Sequence, residues 1–380
     1  MARSKGHGFT LATAGVAAAL LLAACGGSSG GGGGTSASKS GQAAQGKKYK
    51  IALSNSYIGN KWRVEMVNDF TSVCSSEGWK ERADCTVFNS GNDVSKQSQQ
   101  ISNLISQRVD AIIINAASPT GLNGVVKQAC DRGILVVSFD STVTEGCGVQ
   151  VNTDQVKFGE ALAQFLVDKL GAKGGNIIRV TGVAGTSVDT DRNKGADNVF
   201  AKNPQIKVVS TFAGDWDSAT AQRNTAGALP SLPKIDGIWA QGGTDGILKA
   251  FLDAGRPLPV TAGEAENGFR KFMAKEGYQG APQVEGLSIG QPPFLSIASL
   301  ETALQILEGK RPKKNVLLDF PKATSNDIVP NETVFPKLED SFFVAFTDAG
   351  EKPIVKVCVD AALTGKPCPE RPIVNLPDAS

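Results

Sequence analysis

Side chains that bind hydroxyl groups stand directly after short apolar runs along this chain. They occur in Ser56-Tyr57-Ile58-Gly59-Asn60-Lys61-Trp62-Arg63, at Asn115 and Asp140, in residues 182–187 with Asp191 and Arg192, in Asp215-Trp216-Asp217, in Gln241-Gly242-Gly243, in Gly263-Glu264 and at Gln291. Carboxylate and amide oxygens accept hydrogen bonds from hydroxyls, Arg192 donates through a fixed fork, and an indole face packs against the C–H face of a sugar ring. The set suits a neutral polyhydroxy compound. Ordinary structural roles compete at each position. Asn115 and Asp140 are also turn and helix N-cap types, Trp62 and Trp216 are also core types, and Arg192 could pair with Asp189 or Asp191 on an exposed helix turn.

Most catalytic chemistry is excluded. His7 is the single histidine of 380 residues and falls in a segment read below as a removable leader. That excludes a Ser-His-Asp triad, a Cys-His dyad and a His-ligated metal. Asp140, Asp191 and Glu264 offer the residue types of a glycosidase acid/base pair, but binding without chemistry fits the pattern better. Residues 182–187 carry no Lys-Ser/Thr after their glycines, and no Gly-x-Gly-x-x-Gly follows the first apolar run. No enzyme activity, metal or cofactor is expected.

These residues need elements to hold them. Apolar, β-rich runs at 49–54, 86–89, 111–115, 135–139, 149–151, 176–181, 208–212, 238–240 and 260–261 alternate with amphipathic stretches. Ser98, Ile101, Ile105 and Val109 recur at helical spacing within 95–109, as do Phe158, Leu162, Phe165, Leu166 and Leu170 further on. Continuously apolar runs such as Ala111-Ile112-Ile113-Ile114 suit a parallel sheet covered on both faces. The pattern occurs twice, before about Asn152 and from about Asn176, so an α/β fold of two doubly wound lobes is expected. In open sheets of this kind ligands lie beyond the carboxyl ends of the strands, where the polar residues stand.

The start of the chain indicates export. Arg3 and Lys5 precede an apolar run over residues 9–24, too short for a stable membrane span, that ends in Leu22-Ala23-Ala24-Cys25. Residues 26–46 are Gly, Ser, Ala, Thr, Gln and Lys without apolar periodicity, five glycines in succession among them, as in a flexible tether. Without Arg3 and Lys5, 37 basic residues balance 37 acidic ones, so nucleic acid is not an expected partner. Setting Cys25 aside leaves six cysteines, which suits an oxidising compartment. Six cysteines allow 15 pairings, of which the three local ones, Cys74 with Cys85, Cys130 with Cys147 and Cys358 with Cys368, are favoured.

Leu-Ala-Ala-Cys followed by Gly resembles a bacterial lipobox, which implies that Cys25 becomes the lipidated N-terminus, with residues 1–24 the signal and 25–46 the tether. The folded body, from about Lys48 to Gly309, resembles the type I periplasmic binding proteins of the ribose-binding branch, receptors of ABC sugar importers. The resemblance is carried in order by Ile51-Ala52-Leu53 through Asn60-Lys61-Trp62, Val109-Asp110-Ala111-Ile112-Ile113-Ile114-Asn115, Val136-Val137-Ser138-Phe139-Asp140, residues 182–187 with Arg192 and Gly195, Trp239-Ala240-Gln241 and Ile289-Gly290-Gln291. It implies a ligand site of Asn60, Trp62, Asn115 and Asp140 from the first lobe and Gln155, Arg192, Trp216, Glu264 and Gln291 from the second, with Gly242 close by. It also implies a three-stranded hinge near residues 152–154, 291–293 and 320–324. The lobes would be 47–153 plus 292–322 and 154–291 plus 323–380, the last 55 or so residues forming a strap on the second lobe. The protein would then be a monomer on the outer face of the cell membrane or in the periplasm, delivering a sugar or polyol to a permease. Signalling through a sugar or autoinducer, or a nucleoside ligand, is the alternative. Ser141, Gly242, Glu264 and Arg63 depart from the ribose pattern, where arginine, asparagine, aspartate and a second aromatic are usual, and so point away from ribose itself.

Overall fold

The computed structural model describes residues 46–311, 313–344, 355–368 and 372–376. The expected signal, Cys25 and the tether up to residue 45 lie outside them. The first lobe is built on β1 (Tyr49–Asn55), β2 (Ala83–Asn89), β3 (Ala111–Asn115), β4 (Leu135–Phe139) and β5 (Val149–Thr153), with α1 (Lys61–Cys74), α2 (Val94–Gln107) and α3 (Asn123–Asp131) between them. The second is built on β6 (Gly175–Thr181), β7 (Ile206–Ala213), β8 (Gly237–Ala240), β9 (Val260–Glu264) and β10 (Gly286–Ile289), with α4 (Gln155–Leu170), α5 (Ser187–Phe200), α6 (Ser218–Ala228), α7 (Thr244–Asp253) and α8 (Asn267–Met273). Then α9 (Leu295–Leu307) and β11 (Asn315–Leu318) return to the first lobe, and β12 (Lys322–Thr324) to the second.

The two sheets have matching orders, β11-β5-β4-β3-β1-β2 and β12-β10-β9-β8-β6-β7. Every pairing within them is parallel except β12 on β10. Strand pleating divides each apolar run between two faces: Ile113 joins the core beneath α1 and α9, while Ile112 and Ile114 join that beneath α2 and α3. The lobes are therefore doubly wound, and the chain passes between them after β5, after β10 and after β11, at the expected hinge.

All nine expected runs are strands, several extended by one to three residues; β10, β11 and β12 went unrecognised. The helix expected over 95–109 ends at Gln107 because Arg108 turns left-handed, with φ 54°. Within the helix Gln97, Ile101 and Leu104 are buried; of the expected set Ile101 and, beyond the helix end, Val109 join that core, Ile105 packs against it partly buried, and Ser98 does not join it. Disulfides join the three local cysteine pairs, each with Cα atoms 6.3 Å apart.

The C-terminal strap differs from expectation. It leaves β12 along the second lobe, where Arg270 donates to the Thr333 carbonyl (2.9 Å) and Asn267 to that of Phe335 (2.8 Å). Its described residues 355–368 lie on the first lobe. There Asn68 donates to the Ala362 carbonyl (2.7 Å) and Ser72 to that of Lys366 (2.9 Å), and Val355 and Ala362 join the core of α1 and α9. Asn68 and Ser72 lie one turn apart on α1 and supply the docking hydrogen bonds, which apolar periodicity does not register.

Candidate functional site

A cleft lies between the lobes, at the carboxyl ends of both sheets. Asn60, Trp62, Asp140, Arg192, Trp216, Glu264 and Gln291 line it together with Arg63, Val188 and Phe343. Asn60 caps α1, its side-chain oxygen accepting from the Arg63 N–H (3.0 Å), and so sets the direction in which Trp62 and Arg63 leave the helix. Asp140 follows β4 directly in a left-handed conformation (φ 54°), which aspartate tolerates better than most residues.

Asp140 gathers the first half of the site. One carboxylate oxygen accepts from Gln291 Nε2 (2.9 Å), and the other accepts from Asn115 Nδ2 (3.1 Å) and faces Arg63 Nη2 at 3.4 Å. Arg63 also donates to Asn55 (3.0 Å) and lies over the Tyr57 and Trp62 rings. Gln291, at the second hinge crossing, accepts from Thr153 at its side-chain oxygen (2.6 Å) and from Trp62 Nε1 at its carbonyl (2.8 Å). Gln291 thus ties the second hinge crossing to the first lobe.

Arg192 organises the second half and is almost wholly buried. It donates to Gln155 Oε1 (2.9 Å), to the Gln241 carbonyl (3.0 Å) and to Glu264 Oε1 (3.0 Å), with its guanidinium over the Phe158 ring. The partners considered from sequence, Asp189 and Asp191, are not its partners here; Asp189 instead accepts from Gln241 Nε2 (2.9 Å). Close packing of α4 on α5 brings Arg192 within reach of Gln155. A Cβ on Gly159 would overlap the Arg192 carbonyl, and one on Gly195 the Val156 carbonyl, so only glycine permits that approach.

Burial pushes the Glu264 carboxyl up to about 7, outweighing the opposing pull of Arg192. Behind it Glu266, which accepts from the Gly243 backbone N–H, is pushed up to about 8 by burial and by the neighbouring Asp245 and Glu264. Trp216 is half-buried and sits, like Asp215, at φ 54°, an uncommon conformation for a bulky residue. Its indole lies where a Cβ on Gly182 would stand, and its Nε1 is buried without a partner.

Seven of the ten residues singled out from sequence meet in this cleft, and the other three stand directly behind it. Asn115 holds Asp140, and Gln155 holds Arg192. A Cβ on Gly242 would come within 3.0 Å of both Glu264 Oε2 and Trp216 Cδ1. Asn115 and Asp140 cap no helix, and Trp62 belongs both to the first-lobe core and to the cleft wall. Arg63 and Phe343 were not among the ten. Arg63 follows Trp62 in the first helical turn, so the composition after β1 could have indicated it; Phe343 lies 52 positions beyond Gln291 and carries no local signal.

The profile of the periplasmic binding protein domain matches residues 51–311, most of the chain. The chain belongs to the periplasmic binding proteins. Its relatives place it in the type I, ribose-binding-like branch. It is 27% identical over 282 residues to the ribose import binding protein of Bacillus subtilis, a match covering 73% of this chain and 88% of that one. It is 37% identical over 175 residues to a xylitol-binding protein of Mycolicibacterium smegmatis, covering 45% of this chain and half of that one. An ABC transporter solute-binding protein from Thermobispora bispora has 32% identity and a TM-score of 0.64, over 72% of this chain and 84% of that one. Periplasmic binding proteins of this branch are solute-binding proteins rather than enzymes, work outside the cytoplasm and serve sugar transport.

Proposed function

We propose that this periplasmic binding protein is a lipid-anchored receptor that captures a neutral polyol or monosaccharide in the interlobe cleft and delivers it to an ABC permease. The charge balance of the cleft lining carries this reading. Arg63 faces Asp140 and Arg192 pairs with Glu264, so each guanidinium of the lining already has a carboxyl partner. Spare acceptor positions on the two carboxylates suit hydroxyls, and the Trp62 and Trp216 rings suit C–H surface. Asn60, Trp62, Arg63, Asp140, Arg192, Trp216, Glu264 and Gln291 are assigned to ligand contact, Asn115 and Gln155 to holding them, and Gly242 to clearance.

A polyol is favoured over ribose. Glu264 and Gly242 alter reach and space at the second-lobe wall, and the xylitol-binding relative has the highest identity of the relatives compared above. Cys25, in its lipobox-like setting, is assigned to the membrane anchor.

A thermal-shift screen against pentoses, hexoses, polyols and nucleosides tests the reading, because a ligand specific to the folded state raises the melting temperature. The expected result is a shift with a polyol or a single sugar, lost in Asp140→Ala, which would leave Arg63 and Gln291 short of a partner at a cost of about 1–3 kcal/mol. A shift with nucleosides alone, or unchanged affinity in Asp140→Ala, would overturn it.

A further inference from the structure

The C-terminal strap crosses between the lobes beside the ligand cleft, which Phe343 lines, and consecutive residues of it bond in opposite directions. The Phe342 carbonyl accepts from the Asn267 N–H (2.7 Å) at the start of α8, and the Val344 N–H donates to the Ala265 carbonyl (2.9 Å) just after β9, both on the second lobe. Between them the Phe343 N–H turns the other way and donates to Glu65 Oε1 (3.0 Å) on α1 of the first lobe. The alternation is that of an extended strand, which presents successive residues to opposite sides. Further back on the strap, Asp340 accepts from Lys249 (2.8 Å), Lys271 (2.8 Å) and Tyr278 (2.7 Å) of the second lobe, and Glu339 pairs with Lys61 of the first. The strap is thus a fourth link between the lobes beside the three hinge crossings, and Phe343 stands at the link.

Phe343 is almost wholly buried, packs with the first-lobe core and lines the cleft with Trp62 and Trp216. Unlike Asp140, Arg192, Glu264 and Gln291, its ring has no hydrogen bond to offer. A hydroxyl placed against it would be desolvated without a partner.

We infer that Phe343, held by both lobes through the strap, is a specificity-determining ligand contact whose ring limits the length of the polyol the cleft takes. The inference rests on the polyol reading above and adds a third source of site residues to the two lobes. A ring held in place by both lobes would set the length of polyol accepted and reject the next longer homologue. A hydrophobic wall discriminates by about 10- to 200-fold for one methylene-sized change.

The test titrates xylitol, with five carbons, and D-sorbitol, with six, into the full chain, its Phe343→Ala variant and its Phe343→Leu variant. Circular dichroism verifies that each is folded. The wild-type chain should prefer xylitol. Phe343→Ala should weaken xylitol by about 10-fold or more while bringing sorbitol to equal or better affinity, and Phe343→Leu, which keeps apolar bulk, should fall between. A merely structural role would weaken both ligands alike, so an unchanged preference in either folded variant overturns the inference. A wild-type chain that binds neither probe defeats the polyol reading itself, and the length assignment with it.

Discussion

Replacing Glu264 with glutamine separates the two forces on the buried Arg192–Glu264 pair. The carboxyl holds its proton to about pH 7 in the folded protein, against 4.5 as its ordinary value. Because its folded pKa is raised, its contribution to stability is fully present below pH 4.5 and is lost as pH rises through 7. Each pH unit between those values costs the folded state about 1.4 kcal/mol, so the loss from Glu264 approaches about 3 kcal/mol. Glutamine has similar shape and no charge. At pH 5 wild type and Glu264→Gln should have stabilities within about 1 kcal/mol, because the wild-type carboxyl is also neutral there. By pH 8 the variant should be the more stable by up to about 3 kcal/mol. Glu266 titrates in the same sense in both chains and largely drops out of the difference. Over the described residues from Gly46 onward, an unfolding entropy of about 2.1 cal/mol/K per residue turns that difference into about 4 °C of melting temperature. Thermal and urea unfolding of the ligand-free protein from pH 5 to 8 would measure it. Parallel profiles, or a less stable variant at pH 8, would refute the claim that desolvation outweighs the ion pair.

Three further perturbations test other parts of the structure. Gly182→Ala places a methyl group in the volume of the Trp216 indole, so ligand affinity should fall about 10-fold or more and the tryptophan emission should shift; unchanged titration and emission would show that Trp216 is not packed as described. Asp69, wholly buried on α1 with neither carboxylate oxygen bonded, is held by burial well above the usual carboxylate range. Wild-type stability should therefore fall as pH rises from about 4, and urea titrations of Asp69→Asn should give a flatter profile, an equal slope counting against the assignment. Cys25→Ser should move the protein from the membrane to the soluble fraction, as fractionation and immunoblotting would show; retention would point to an uncleaved apolar segment instead.

Much of the fold was legible because it is written in local patterns. Ala111–Asn115 is continuously apolar up to its final asparagine, and the strand appears with those bounds, buried on both faces. The local disulfides were favoured for a similar reason, each joining neighbouring elements. Two of the four edge strands, β11 and β12, were not legible. β11 alternates exposed and buried residues over four positions and β12 has only three residues, so neither carries a run long enough to stand out. The end of α2 depended on a left-handed arginine, a conformation that residue type does not announce.

The sequence by itself determined which residues follow the strands, and strand ends in a doubly wound sheet converge on a cleft whatever the packing details. That accounts for Asn60, Trp62, Asp140, Arg192, Trp216, Glu264 and Gln291 meeting there. Tertiary structure decided which of them pair. Arg192 could reach Asp189, Asp191 or Glu264, and the choice of Glu264 follows from a glycine-mediated approach of two helices far apart in sequence from β9. It also decided the path of the strap. Single polar bonds from Asn68, Ser72 and Glu65 draw that segment onto the first lobe and bring Phe343 into the site. Apolar periodicity reports which face of an element is buried; it does not report which distant carbonyl or N–H a polar side chain on that element will meet.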